Sequence, residues 1–115
     1  MNLFVKGAVR LHAGGISMWK IECDALTKED WEGLALIAME KYSLAFREVV
    51  GIPRGGLQFA KALEPYRSLG GLLVVDDVLT TGTSMQEYLN KYENSSGLVA
   101  FARGLLPDNV KAVWQ

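Results

Sequence analysis

The sequence predicts an α/β domain, a mostly parallel sheet with helices on both faces, preceded by an N-terminal β-hairpin. Three observations carry this. Apolar segments without strict alternation, at 48–52, 72–75 and 98–102, read as strands buried on both sides. Helical patterns separate them, so the middle of the chain runs strand, helix, strand, helix, strand. Two unusual loops, PRGG and DDVLTTGTS, follow the first two of these strands. That is the sheet edge where such folds bind ligands.

Each element has a local reason. Leu3 to Leu11 and Ile16 to Cys23 have extended character and flank HAGG, whose glycines supply turn chemistry for a hairpin. Thr27 caps a helix, with Glu29 and Asp30 at the positive end of its dipole. Trp31, Leu34, Ala35, Ala38 and Tyr42 give that helix an apolar face, and it is expected to end near 44–46. Glu48 to Ile52 is a short β-branched strand broken by PRGG. Leu57 to Leu63 is a helix stopped around Pro65, and Arg67 to Gly71 a connector. Leu72 to Val75 is the next buried strand, with the acids and TTGTS expected as a turn after it. Thr83 or Ser84 then caps a helix to about Tyr92. Asn94 to Gly97 reads as a turn, Leu98 to Ala102 as a core strand and Val110 to Trp114 as a last strand.

Composition narrows the function. The chain has 115 residues, half of them apolar, which suits one domain, 1–115, with a single core. A formal net charge of −1 leaves no electrostatic footprint for nucleic acid. No apolar run approaches the ~20 residues of a membrane span. The N-terminus shows no secretory signal pattern, and Cys23 is the only cysteine, so a cytoplasmic setting is expected.

The loops carry the chemistry. Gly82 permits a tight turn, and the amides of Thr81 to Ser84 are expected at a helix start, where unpaired N–H groups favour an anion. Thr80, Thr81, Thr83 and Ser84 add hydroxyl donors, so the cup suits a phosphate monoester. Asp76 and Asp77 accept hydrogen bonds and repel a second phosphate. They suit the hydroxyls of the sugar bearing the first, and can offset positive charge developing on its ring. Pro53, Arg54, Gly55 and Gly56 form a second anion-binding candidate, with Arg54 as its fixed charge. Read singly, each loop also fits a solvated turn with a helix cap. No G-x-x-x-x-G-K-[ST] loop occurs, so the acids are not part of a P-loop nucleotide site.

LLVVDDVLTTGTS resembles the phosphoribosyl pyrophosphate (PRPP) motif of type I phosphoribosyltransferases, and VVGIPRGG resembles their pyrophosphate loop. LHAGGISMWKIECDALT is similar, more weakly, to the hood segment of orotate phosphoribosyltransferases. The resemblance implies a reduced Rossmann-like fold with a hood, and transfer of ribose 5-phosphate from PRPP to a base nitrogen with release of pyrophosphate. It implies Mg2+ held mainly through the substrate, a homodimer, and an orotate-like pyrimidine as the base. It places Asp76 and Asp77 on the ribose hydroxyls, Thr80 to Ser84 on the 5-phosphate, and Pro53 to Gly56 on the pyrophosphate. Arg103, His12 and Ser17 fall where base contacts are expected, with His12 where the family pattern has lysine.

One departure matters. The family has a further strand and a long closing loop between the helix after the pyrophosphate loop and the PRPP strand. Here only EPYRSLGG separates Leu63 from Leu72, and eight residues span at most ~28 Å. The two expectations are therefore a minimal phosphoribosyltransferase and a non-catalytic PRPP- or nucleotide-binding sensor.

Overall fold

The computed structural model describes residues 25–115. The hairpin at 3–23, with His12, Ser17 and Cys23, lies outside the described residues. Helix α1 (Lys28–Tyr42) starts at a capping box: Asp30 N–H donates to Thr27 Oγ1 at 3.3 Å and Thr27 N–H donates to Asp30 Oδ2 at 2.8 Å. Two otherwise orphaned amides are satisfied there. The helix stops at Tyr42, earlier than expected, because Ser43 turns left-handed (φ 50°) and its N–H bonds back to Met39 O.

Strand β1 (Phe46–Gly51) and helix α2 (Leu57–Leu63) follow. A 3-10 turn, Glu64–Tyr66, holds Pro65 in its first positions, where a missing N–H does no harm. Strand β2 (Gly71–Leu79), helix α3 (Thr83–Lys91), strand β3 (Ser95–Ala102) and strand β4 (Val110–Trp114) complete the chain. Two expected boundaries are corrected. β2 does not stop at Val75 but runs through both acids. The expected turn 94–97 contracts to Asn94 (φ 54°), and Gly97 lies inside β3. A glycine fits that strand position because Met85 Sδ would sit 2.8 Å from any Cβ there.

All four strands are parallel and lie in chain order, β1-β2-β3-β4. Alternation along β2 splits the core in two. Leu73 and Val75 face α1 and α2, packing with Trp31, Leu34, Phe59 and Leu63. Val74 faces α3, packing with Met85, Val99 and Ile52. Helices therefore cover both faces, as a parallel sheet requires.

The two helical crossovers step in the same direction across the sheet but over opposite faces, so they have opposite hands. The Ile52 N–H bond to Val75 O (2.9 Å) fixes which is which. Take the strands pointing up, seen from the Ile52 and Val74 face. An L-residue whose side chain points at the viewer then directs its N–H and C=O to the right. β2 thus lies to the right of β1. The connection through α3, in front, is right-handed, and the one through α2, behind, is left-handed. Such crossovers are right-handed in about 98% of cases.

The outer edge of β4 is covered: the Tyr42 hydroxyl and Lys41 Nζ both donate to Ala112 O. At the start of β1 the Ser68 N–H donates to Phe46 O at 2.7 Å. No helix among the described residues is long and apolar enough to cross a membrane.

Phe59 is fully buried, with its ring centroid 5.3 Å from that of Trp31. Phe59→Ala is expected to cost about 3–5 kcal/mol, and Thr27→Ala, which removes the capping box, about 1 kcal/mol. Urea denaturation of the two variants checks both the size and the order of these losses.

Candidate functional site

The site is built on the carboxyl ends of β1 and β2. As β2 reaches its acids, each carboxylate folds back onto the next amide. Asp77 N–H donates to Asp76 Oδ1 at 2.8 Å, and Val78 N–H donates to Asp77 Oδ1 at 2.7 Å. The pairing with β3 steps from Asp76 opposite Val99 to Val78 opposite Phe101. The two acids face different ways. Asp76 lines a cavity with Thr80 to Ser84, whereas the Asp77 carboxylate lies against Gly55 of the PRGG loop. One faces the cup and the other faces the second loop, because neighbouring residues of a strand alternate.

Beyond Leu79 the chain turns at Gly82, whose φ of 85° is left-handed. Gly82 itself is the N-cap of α3 and offers no side chain, which replaces the expected cap at Thr83 or Ser84. Thr81 Oγ1 instead accepts the Thr83 N–H at 3.3 Å and lies 3.1 Å from Thr83 Oγ1. The amides of Ser84 and Met85 have no acceptor among the described residues, so they and the dipole of α3 remain for an anion. Thr80, Thr81, Thr83 and Ser84 are all exposed. The cavity they form with Asp76, Val78 and Val99 holds about 60 Å³. By this measure roughly 10–15 Å³ already holds a water molecule, so the cup has room for a small anion.

The PRGG loop is set by backbone contacts. Gly56 N–H donates to Ile52 O at 2.8 Å and Leu57 N–H to Arg54 O at 3.2 Å. The Pro53–Arg54 peptide is cis. Pro53 and Arg54 are exposed, Gly55 is half-buried, and Gly56 is buried as the N-cap of α2. A Cβ on Gly55 would come within 2.2 Å of Asp77 Oδ2. Only glycine lets this loop close on the acid. The two candidate loops are thus in contact through Asp77.

Burial pushes the Asp76 carboxyl up from 3.8 to about 7, and the neighbouring Asp77 side chain adds to the rise. The Asp77 amide on Oδ1 works in the opposite sense. Asp76 therefore exchanges a proton near neutrality while facing the cup.

Arg103 is exposed just past β3, and its N–H donates to Leu79 O at 3.0 Å. Its backbone is tied to the end of β2. Pro107 is a neighbour that the sequence did not announce, lying 3.6 Å from a Cβ placed on Gly82. It reaches the cup by the fold of 103–109, which no local pattern signals. Among the described residues no three His, Cys, Asp or Glu side chains gather as a metal site.

No protein-family model matches this sequence, and no curated protein or solved structure matches it.

Asp76 binds its proton more tightly folded than unfolded, so folding takes up a proton between pH 3.8 and about 7. Its contribution to stability is full below that window and is lost as pH rises through it. Urea unfolding is expected to show lower stability at pH 8 than at pH 5, with Asp76→Asn flattening this slope. An unchanged slope in the variant would place the titration elsewhere. A Cβ at 55 must push the loop off Asp77, so Gly55→Ala is expected to lower thermal stability. An unchanged melting temperature would show that the contact is not maintained in solution.

Proposed function

We propose that the chain is a minimal phosphoribosyltransferase that binds PRPP and passes ribose 5-phosphate to a nitrogenous base. One observation carries this reading: two anion-suited loops from adjacent strand ends touch through an acid pair that divides between them. The threonine cup with the start of α3 suits the 5-phosphate. Arg54 and the backbone of PRGG suit the pyrophosphate. Asp76 and Asp77 lie between these two loops, where a ribose with its hydroxyls would bridge them.

In the reaction, a base nitrogen forms a bond to C1 of the ribose as the C1–oxygen bond to pyrophosphate breaks. Pyrophosphate leaves with the electron pair and with the Mg2+ that PRPP brings. The acid pair accepts hydrogen bonds from the sugar hydroxyls and offsets positive charge on the ring. Hydroxyls donating to Asp76 favour its ionised form, so sugar binding draws its proton off. An orotate-like pyrimidine is the base proposed, with Arg103, His12 and Ser17 as its contacts, and the setting proposed is cytoplasmic.

A second reading has its own observation. The segment between α2 and β2 is a 3-10 turn and a short connector, which leaves no length for a loop that closes over the site. Closing loops exclude water and complete catalytic sets. A PRPP- or nucleotide-binding sensor would need no such loop.

Millimolar PRPP with Mg2+ is expected to raise the melting temperature, and Asp76→Asn with Asp77→Asn to weaken that rise. Pyrophosphate release is expected with at least one pyrimidine or purine base. Binding with no release for any base selects the sensor, and no thermal shift rejects both readings.

A further inference from the structure

We propose that the cleft between α1 and α2 is a second binding site, one that takes a small carboxylic acid with a flat apolar body. The inference does not rest on the PRPP reading. The cleft lies on the sheet face covered by α1 and α2, whereas the cup lies on the α3 face.

The walls follow from helix spacing. α1 presents Lys28, Trp31 and Glu32, and α2 presents Gln58, Lys61 and Ala62. Each set runs i, i+3, i+4 and so shares one side of its helix. Leu26, just before the Thr27 cap, adds an apolar end wall. Between the walls is a cavity of about 430 Å³, against about 60 Å³ for the cup. Sites for small organic molecules run from roughly 300 to 1,000 Å³. The cleft is therefore sized for an organic molecule rather than for a bare ion.

The floor is aromatic and fixed. Trp31 is 3% exposed, and its ring is held 5.3 Å from that of the fully buried Phe59. Leu26 and Ala62 pack against the same core cluster. The indole N–H of Trp31 donates to no acceptor among the described residues, although buried indoles usually find one. Yet no fully enclosed side-chain nitrogen or oxygen among them lacks a partner. The N–H therefore reaches the small surface that Trp31 keeps, and Trp31 lines the cleft. A floor suited to a flat ring thus carries a donor in need of an acceptor.

Charge selects that acceptor. Lys28 and Lys61 bring two ammonium groups and Glu32 one carboxylate, so the cleft has one positive charge in excess. Neither lysine is ion-paired among the described residues, unlike Arg67, which pairs with Glu64. Lys28 also stands in the first turn of α1, where a cation opposes the helix dipole. A bound anion offsets both the lysine charges and the dipole. Gln58 adds amide donors. A monoanion answers all of these, with its apolar body on Trp31 and its carboxylate toward the lysines. A dianion would meet more repulsion from Glu32, and a cation would meet two lysines.

Cinnamate, a flat aromatic acid, is the probe. The readout is the Trp31 indole N–H signal in a nitrogen–proton correlation spectrum of the full chain, identified by its loss in Trp31→Phe. A saturable shift with a submillimolar dissociation constant is expected. Cinnamyl alcohol, neutral with the same body, should bind about tenfold more weakly, and cinnamylammonium should not bind. Lys28→Gln with Lys61→Gln, both at exposed positions, should weaken cinnamate about tenfold and leave the alcohol unchanged. Glu32→Gln should tighten cinnamate about twofold. Circular dichroism checks that each variant folds. No shift at Trp31 overturns the proposal, by showing that the chain's own residues fill the cleft. Equal affinity for the three probes, or cinnamate binding indifferent to the lysine pair, also overturns it, by showing an apolar cavity with no preference for acids.

Discussion

The contact between Gly55 and Asp77 is the constraint on which the site depends. It requires β2 to continue as a strand through its acids, so that Asp77 emerges on the α2 face while Asp76 emerges on the α3 face. It requires glycine at 55, because any Cβ would overlap the carboxylate. It also requires the ends of β1 and β2 to be level, which the Ile52 to Val75 bond secures. Each condition is a backbone condition. The ligand-facing side chains are carried by geometry that the sheet sets before any ligand arrives.

This division gives the acids unequal electrostatics. Asp76 is partly buried against the cup and its proton affinity is raised to the neutral range. A cup that favours anions through amides and hydroxyls thus has beside it a group that need not be charged until something donates to it. On the proposed reading, a neutral Asp76 can stand beside a phosphate and ionise when a sugar hydroxyl donates to it. That resolves the tension of two carboxylates placed directly before an anion cup.

Much of the architecture was legible in the sequence because its signals are local. Thr27 with Asp30, the apolar face of 31–42, the span of Leu57–Leu63 and the last strand Val110–Trp114 all follow from caps and periodicity. The misses share one cause, tertiary contact overriding a local cue. Asp76 and Asp77 look like the end of a strand, yet self-bonded carboxylates let β2 continue. Gly97 looks like a turn residue, yet it is strand because Met85 packs on it. The two loops were legible as unusual segments at neighbouring strand ends, but their contact through Asp77 depends on register, which no single segment encodes. The left-handed connection through α2 follows from the short segment before β2 only once the sheet order is known.

The central claim is that both loops hold one ligand. Amide shifts in a nitrogen–proton correlation spectrum, followed as PRPP with Mg2+ is titrated in, test it most directly. The account requires Gly55 and Thr81 to Ser84 to shift together along one binding curve, with a single dissociation constant. Shifts confined to 81–84, or two curves of different midpoint, would contradict it by showing that the loops act as separate anion sites.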